Sequence, residues 1–391
     1  MILTRKQEEG LKIALDRYKN KEKYTVIAGY AGTGKSTLVR FIIDALNIDE
    51  NQVAYTAYTG KAVEVLRKKG NKNAFTLHKL LFDSIPKPTG GFFRKPKLVL
   101  PYKIIVVDEV SMVPQALMDA LFRHRCYVIC LGDPFQLPPV DKDADNGLLS
   151  KPHIFLDEVM RQAKESEIIR LSLDIREGKK LAFQEGEETM ILPRQELTTG
   201  MLTWADQILV GTNNTRRYIN NQMRELLGFR GGPQEGDKVI CVKNYWDDLS
   251  FEEESPLVNG TIGYLKNGFE TFREIPNYVK GTPRKFAIWQ ADLWTGEDMF
   301  SVDIDYKMLT TEEKCCDWKM SYQLGKLKPK IGEIIPKEFL YAYAITCHKS
   351  QGSEWDKVLV LEERFPFDIM EHARWLYTAC TRAAEKLVLV R

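Results

Sequence analysis

The stretch that decides the fold is Gly29-Tyr-Ala-Gly-Thr-Gly-Lys-Ser36, which has the spacing G-x-x-x-x-G-K-S. It follows an apolar run, 24–28, that is typical of a buried strand, and it precedes a segment, 37–46, with apolar residues at helical spacing. Strand, glycine-rich loop and helix in this order form the context in which backbone N–H groups and a helix N-terminus bind phosphate. The lysine, the serine and both flanks argue against the alternative, a chance glycine-rich turn.

Each polar group of this loop has an expected role. Lys35 should reach the β- and γ-phosphates of a nucleoside triphosphate, and the Ser36 hydroxyl should ligate Mg²⁺. The residues predicted to surround the nucleotide here are Gly29, Gly32, Thr33, Gly34, Lys35, Ser36 and Thr37.

The composition is that of an ordinary globular protein. The chain has 391 residues, of which 44% are hydrophobic and 28% are charged, and this length suits two or three domains. No apolar run approaches the roughly 18 residues of a membrane span, and the first residues show no signal-peptide core, so we expect no membrane partner. Because the net charge is only +2, a nucleic-acid site would have to be a local patch.

Cysteine and histidine usage argues against a structural or catalytic zinc. The seven cysteines form no C-x-x-C pair, and the five histidines include no H-x-x-x-H spacing. An odd, scattered set of cysteines fits a reducing compartment.

Continuous apolar strands alternate with helices, a pattern that predicts an α/β fold with parallel sheets buried on both faces. The strands predicted in this style are 24–28, 52–56, 103–109, 127–133, 207–210, 341–345, 357–361 and 386–390. After Gly236 the style changes to short strands with turn residues between them, at 237–243, 257–264, 286–289 and 300–304. We therefore expect two α/β domains, the second interrupted by an all-β insert. Prolines and glycines around Phe92-Phe93 predict an excursion or hairpin at 83–101.

Two further segments supply groups that suit nucleotide hydrolysis. Asp108 and Glu109 end an apolar strand, where Asp108 can hold Mg²⁺ through water and Glu109 can orient and polarise the attacking water. The alternative, two solvated acids at a strand end, is disfavoured by the phosphate loop upstream. Gln136, just past another strand, could sense the γ-phosphate or hold the water, although a proline-rich turn explains that pattern equally well.

Eight motifs follow one another in a recognisable order. They are GxxxxGKS (29–36), TGKA (59–62), TLHKLL (76–81), VVDEVSM (106–112), GDPFQLPPV (132–140), EVMRQ (158–162), AITCHKSQGSEWD (344–356) and LYTACTRA (376–383). This order resembles superfamily 1 helicases over nearly the whole chain. The GDxxQLPP, MRQ and HKSQGSE forms are similar to the RecD/Dda-like branch of superfamily 1B.

The resemblance implies two RecA-like P-loop NTPase domains, with an SH3-like β-barrel insert (2B) in the second and a small pin (1B) in the first. On this basis domain 1A spans 1–154 with the pin at 83–101, domain 2A combines 155–235 with 338–391, and 2B spans 236–337. The implied activity is ATP-driven 5′ to 3′ translocation on single-stranded DNA with unwinding of duplex DNA. ATP and Mg²⁺ are the implied cofactors, and single-stranded and forked DNA are the implied partners. The resemblance also implies a monomeric core and a location in the cytoplasm of a bacterial or phage-infected cell. Replication or recombination proteins are candidate partners on the same basis.

The resemblance also assigns roles to single residues. Gln7 matches a glutamine that reads adenine, Gln136 couples the nucleotide state to DNA, and Glu354 contacts the ribose. Arg161 and Arg382 match arginines that the second domain brings to the γ-phosphate, where a positive charge offsets transition-state charge. The alternative for each arginine is a surface salt bridge. The catalytic set is then Lys35, Glu109, Gln136, Arg161 and Arg382.

DNA contacts are expected from loops of both domains, because small hydroxyls and backbone amides grip phosphates without reading bases. The expected contacts are Thr59, Gly60, Lys61, Thr76 and His78 in the first domain, and Thr346, His348, Lys349, Ser350 and Gln351 in the second. Phe92 or Phe93 could stack on a base at the fork, and packing of the pair onto its own domain explains them equally well. Tyr58 stands where the branch usually has proline, which leaves the detail of that loop open.

Two other functions fit parts of the pattern. An RNA or mixed DNA/RNA helicase of the Upf1-like branch shares GDxxQLPP, but the MRQ and HKSQGSE forms argue against it. A nucleotide-gated DNA-binding or loading module would hydrolyse ATP without unwinding.

Overall fold

The computed structural model describes residues 3–86, 92–138, 146–160, 163–249, 256–274, 285–296, 298–315 and 335–391. The chain forms two compact units. The first comprises Met1–Leu81, Pro96–Arg216 and Ile345–Arg391, and the second comprises Phe82–Lys95 and Arg217–Ala344. Within the described ranges, no helix is long and apolar enough to span a bilayer.

The strands in the described ranges are β1 (Tyr24–Gly29), β2 (Val53–Ala57), β3 (Ala74–Thr76), β4 (Phe82–Pro86), β5 (Phe92–Pro96), β6 (Ile104–Val107), β7 (Tyr127–Gly132), β8 (Ile154–Leu156), β9 (Gln184–Glu185), β10 (Thr189–Leu192) and β11 (Gln207–Val210). They continue with β12 (Lys238–Cys241), β13 (Tyr245–Leu249), β14 (Pro256–Leu257), β15 (Ile262–Glu274), β16 (Lys285–Trp294), β17 (Met299–Asp305), β18 (Phe339–Tyr341), β19 (Ala344–Thr346), β20 (Trp355–Leu361) and β21 (Ala383–Val390). The α-helices in the same ranges are α1 (Arg5–Lys19), α2 (Lys35–Ala45), α3 (Gly60–Lys68), α4 (Leu77–Leu81), α5 (Gln115–Phe122), α6 (Glu167–Arg176), α7 (Thr199–Trp204), α8 (Asn213–Leu226), α9 (Tyr306–Thr311) and α10 (Ile369–Cys380).

The N-terminal part of the first unit is built on a six-stranded sheet with the order β3-β2-β6-β7-β1-β8. All of its strand pairs are parallel, which confirms the predicted parallel sheet. The central strands β6 and β7 are buried along their whole length, as expected of apolar runs covered on both faces. Because the strands are parallel, the carboxyl ends of β1, β6 and β7 lie at one edge, where ligands of such sheets bind.

A second sheet in the same unit has the order β19-β11-β20-β21-β10-β9. The pairs from β11 to β10 are parallel, and the short β9 adds an antiparallel edge. The short strand β10 did not stand out in the sequence, since its four residues are only alternately buried.

The predicted single strand at 341–345 is wrong. The chain here forms β18 and β19, which belong to different sheets. The Asn220 side chain holds the break, because its Nδ2 donates to the carbonyl oxygens of Tyr341 and Ala344 at 3.0 Å and its Oδ1 accepts from the Ala344 N–H at 2.9 Å. Residues 339–345 are all buried, so hydrophobicity carries no signal for the change of sheet.

The second unit contains a five-stranded antiparallel sheet with the order β17-β16-β15-β12-β18. Its core includes the fully buried Leu265, Leu293, Ile304 and Phe339. The predicted strands at 237–243, 286–289 and 300–304 overlap β12, β16 and β17, and the predicted strand at 257–264 is divided between β14 and β15. The SH3-like class and the domain boundaries stay predictions. The strands β4 and β5 pair as a two-stranded sheet, and their role as a pin also stays a prediction.

Candidate active site

The phosphate loop connects the end of β1 to the start of α2, and its glycines are required by its geometry. Gly32 and Gly34 have φ values of +73° and +77°, which only glycine adopts without strain. A Cβ on Gly34 would also lie 2.3 Å from the Met160 sulfur and 2.5 Å from Gln7 Nε2. The Met160 N–H donates to the Gly32 carbonyl at 2.9 Å, so the described part of the EVMRQ motif, 158–160, lies directly on this loop.

Lys35 is held by the loop itself. Its Nζ donates to the carbonyl oxygens of Gly29 at 2.7 Å and Tyr30 at 3.0 Å. Thr33 is buried, and its hydroxyl also donates to the Tyr30 carbonyl, at 2.8 Å. The ammonium group therefore already lies at the first turn of the loop.

Gln7 joins the start of α1 to the phosphate loop. It completes a capping box: the Gln7 Oε1 accepts from the Thr4 N–H at 3.0 Å, and the Thr4 hydroxyl oxygen accepts from the Gln7 N–H. Its Nε2 donates to the Thr33 carbonyl at 3.2 Å, and the side chain is 1% exposed. Gln7 is thus placed beside the loop with its amide engaged, and adenine reading stays a prediction.

The two predicted Mg²⁺ ligands line one cavity of about 270 Å³. Ser36 contributes a hydroxyl at the start of α2, with Thr37 beside it, and Asp108 contributes a carboxylate just past β6. Burial raises the pKa of Asp108, the neighbouring Glu109 raises it further, and Lys35 opposes both. Oxygen donors are the ligands that Mg²⁺ prefers, and a bound cation would offset the cost of ionising this carboxyl. The residues present therefore fit the ion.

Glu109, Gln136 and Arg382 meet in a single cluster. The Arg382 Nη1 lies 3.9 Å from Glu109 Oε1. When the Gln136 carboxamide is oriented so that both its atoms are satisfied, its nitrogen donates to Glu109 Oε2 at 3.1 Å and its oxygen accepts from Arg382 Nη2 at 3.0 Å. Three of the five residues predicted to be catalytic are thus in contact.

Backbone geometry fixes both charged members of this cluster. Glu109 has φ 49° and ψ 48°, a left-handed conformation that costs a non-glycine residue roughly 1–3 kcal/mol and is typical of functional sites. Arg382 is 6% exposed, and its Nε and Nη1 donate to the carbonyl oxygens of Thr378 at 3.1 Å and Ser353 at 3.2 Å. Arg161 lies outside the described residues.

Tyr377 is a residue of this region to which sequence reasoning gave no role. Its hydroxyl oxygen accepts from the Ala31 N–H at 2.7 Å and its O–H donates to Asp133 Oδ2 at 2.6 Å. The available signal was its place in the LYTACTRA motif, shortly before Arg382.

The predicted DNA residues of the first domain begin short helices. The Thr59 hydroxyl oxygen accepts from the Ala62 N–H at 3.2 Å and caps α3, next to the exposed Gly60 and the half-buried Lys61. Likewise, the Thr76 hydroxyl oxygen accepts from a backbone N–H of α4 at 3.2 Å. The His78 ring lies 5.8 Å from the Tyr58 ring. These loops are fixed, and their contact with DNA stays a prediction.

Two of the five predicted DNA residues of the second domain bind backbone carbonyls within the protein. Ser350 is buried and donates to the Cys347 carbonyl at 2.7 Å, and Gln351 Nε2 donates to the Leu137 carbonyl. Burial lowers the pKa of His348. Thr346 and Lys349 are half-buried.

The loops of the two sets come together at Gly352, whose φ is +72°. The approach is close: a Cβ added to Gly352 would lie 3.2 Å from the Thr59 hydroxyl oxygen. Glu354 pairs with Lys69 Nζ at 2.9 Å, and its contact with ribose stays a prediction. The side chains of Phe92 and Phe93 lie outside the described part of the structure.

Two family models match parts of this chain. The AAA domain model matches residues 3–192, and the UvrD-like helicase C-terminal domain model matches residues 341–390. The chain is 29% identical over 391 residues to the ATP-dependent RecD2 DNA helicase of Deinococcus radiodurans, covering 93% of this chain and 46% of that protein. It is 29% identical over 189 residues to the ATP-dependent DNA helicase dda of Enterobacteria phage T4, covering 45% and 43%. The chain thus spans about half the length of these curated relatives.

A solved structure shares the fold. The Pif1 helicase from Bacteroides in complex with ADP-AlF3 and ssDNA is 18% identical with a TM-score of 0.50, covering 100% of this chain and 92% of that chain. In its two family-model matches, its motif order and these relatives, the chain is thus similar to helicases of the RecD and Dda branch of superfamily 1B.

Proposed function

We propose that this chain is an ATP-dependent DNA helicase that moves 5′ to 3′ on single-stranded DNA and unwinds duplex DNA at a fork. The observation that carries the proposal is the Glu109–Gln136–Arg382 cluster, formed at the sheet edge that also carries the phosphate loop. Nucleotide hydrolysis needs a group that polarises water, a polar side chain that senses the γ-phosphate, and a cation that stabilises the transition state.

Each residue then has a step to perform. Lys35 exchanges its carbonyl partners for the β- and γ-phosphates. Ser36 and Asp108 would hold Mg²⁺, which would supply positive charge to the phosphates. Glu109 orients and polarises the attacking water by accepting its proton, and Arg382 offsets the charge that develops on the transferred phosphoryl group. Gln136 contacts both Glu109 and Arg382, so its position can depend on whether a γ-phosphate is present.

The same geometry supports coupling to DNA. Gln351 donates to the carbonyl of Leu137, the residue that follows Gln136, and Gly352 lies against Thr59. Movement of the Gln136 loop during hydrolysis would therefore reach both sets of proposed DNA loops, 59–61 and 346–351. We further propose that domains 1A and 2A are RecA-like with the boundaries given above, that residues 236–337 form an SH3-like domain, and that the β4–β5 hairpin acts as the pin.

The proposal is tested by ATP hydrolysis and unwinding with the full chain. We expect hydrolysis that single-stranded DNA stimulates and that Lys35→Ala abolishes, and unwinding of forks with only a 5′ tail but not of forks with only a 3′ tail. Hydrolysis without unwinding of either fork would favour the loading-module alternative. Stimulation by RNA equal to that by DNA would favour an RNA or mixed helicase. Absence of DNA-stimulated hydrolysis would refute the proposal.

A further inference from the structure

The Tyr377 hydroxyl joins three segments that are far apart in the sequence. The side chain is 1% exposed, and its hydroxyl contacts the Ala31 N–H and the Asp133 carboxylate. Ala31 is the third residue of the phosphate loop, and Asp133 begins the loop that carries Gln136. Tyr377 itself belongs to α10, which ends at Cys380 just before Arg382.

The two hydrogen bonds require a protonated hydroxyl with a defined orientation. A phenol that accepts from an amide must give its own proton to the other partner, and the Asp133 carboxylate accepts it. Burial, together with the negative charge of Asp133, raises the pKa of Tyr377, so the hydroxyl stays protonated. Asp133 is held in turn by the Phe135 N–H, which donates to its Oδ1 at 2.9 Å.

The neighbouring residue on α10 holds the other end of the Gln136 loop. The Thr378 hydroxyl oxygen accepts from the Leu137 N–H at 2.9 Å. Tyr377 and Thr378 therefore bind the loop on both sides of Gln136, at Asp133 and at Leu137. Of the two, only Tyr377 also contacts the phosphate loop.

We propose that Tyr377 is a positioning residue, whose hydroxyl sets the phosphate loop against the helix that presents Arg382 and so aligns Arg382 with the γ-phosphate. This inference rests on the proposed ATP hydrolysis. Tyr377 touches no reacting atom. Its hydroxyl acts through the Ala31 amide on one side and through the Gln136 loop on the other.

The variant Tyr377→Phe removes the hydroxyl and leaves the ring, which packs edge-on against Phe135 with centroids 5.1 Å apart. A matched control is Tyr127→Phe in the same unit. Tyr127 is also buried, and its hydroxyl bonds to Thr25 and to the Ala14 carbonyl, away from the phosphate loop. Each variant loses one buried tyrosine hydroxyl, so a general effect of such a loss appears in both.

Two measurements on the full chain separate the outcomes. In DNA-stimulated hydrolysis, we expect Tyr377→Phe to lower kcat about tenfold while KM for ATP changes less than about threefold, the pattern of a contact used in the transition state. By hydrogen exchange without nucleotide, the peptide containing Ala31 should exchange faster in Tyr377→Phe than in wild type. Tyr127→Phe should match wild type in both.

A kcat within twofold of wild type, an equal loss in Tyr127→Phe, or unchanged exchange at Ala31 would overturn the inference. If the wild-type chain hydrolyses no ATP, both the proposed function and the proposed role of Tyr377 in aligning Arg382 are refuted. The exchange comparison then still decides whether the Tyr377 hydroxyl holds the phosphate loop.

Discussion

Replacement of Arg382 by alanine is the sharpest test of the proposed hydrolysis. Arg382 is buried, and its guanidinium is fixed by two backbone carbonyls as well as by Glu109 and Gln136. A cation held in place before the reaction needs no reorganisation when charge develops on the phosphoryl group. The change should therefore act on the chemical step and much less on nucleotide binding.

The size of the effect follows from the geometry. Two unit charges at the 3.9 Å that separate Arg382 Nη1 from Glu109 Oε1 interact with about 4 kcal/mol at an effective dielectric constant of about 20. A similar attraction toward transition-state charge corresponds to roughly 10³ in rate, the lower end of the range for arginines that act in phosphoryl transfer. Arg382→Lys keeps the charge but loses the planar fork that reaches Thr378 and Ser353, so an intermediate loss is expected.

The assay is steady-state ATP hydrolysis with saturating single-stranded DNA, beside the affinity for a fluorescent, non-hydrolysable ATP analogue. Arg382→Ala should lose about 10³-fold in kcat with analogue affinity changed less than about tenfold. The control is Arg170→Ala, which removes an exposed arginine of the same unit that lies 3.9 Å from Glu167. A folded Arg382→Ala protein with kcat within tenfold of wild type would refute the assigned role.

Three further predictions concern stability and the phosphate loop. Asp237→Asn should lower the free energy of unfolding in urea by about 3–5 kcal/mol, because it leaves the buried Arg224, now 2.9 Å from that carboxylate, without a counter-charge. The hydrogen bond to Glu362 raises the pKa of His372 in the folded protein. The pair therefore stabilises the folded protein fully at pH values below about 6.5, the pKa of histidine in the unfolded chain. This stabilisation is lost as the pH rises through the pKa of the folded state. The destabilisation caused by His372→Gln should accordingly be larger at about pH 5.5 than at about pH 9, and equal effects at both would contradict this. Gly34→Ala should abolish binding of the ATP analogue in a filter assay, since its φ of +77° and close neighbours leave no place for a Cβ.

Local chemistry made most of the first sheet predictable. A continuous apolar run has no polar group to place in solvent, so β1, β6 and β7 could each be recognised as buried strands. The glycine-rich turn predicted the helix that follows it. The break between β18 and β19 could not be recognised, because it depends on the Asn220 amide, which comes from a distant helix and binds the backbone between two equally buried strands. Such a contact leaves no periodic trace.

The site was predictable in its parts but not in its connections. Motif order indicated Glu109, Gln136 and Arg382, and the structure brings them into contact. The partner of a buried hydroxyl or amide is decided by the packing of segments remote in sequence, and so no spacing indicated the contact of Tyr377 with Ala31. The same holds for Gln351, an expected DNA contact whose side chain binds a backbone carbonyl within the protein.

The contacts of Lys35 and Arg382 indicate how a bound nucleotide would compete with protein groups for these two side chains. Lys35 is held by two neutral carbonyls, and a triphosphate would replace these with charged oxygens that form stronger hydrogen bonds. Arg382 differs, because its partner is Glu109, the carboxylate assigned to polarise water. A γ-phosphate that attracts the guanidinium would weaken this pair and leave Glu109 better able to accept a proton from the water. In Arg382→Ala, Glu109 would already be released, so the expected loss of kcat measures transition-state stabilisation by the arginine rather than the activation of Glu109.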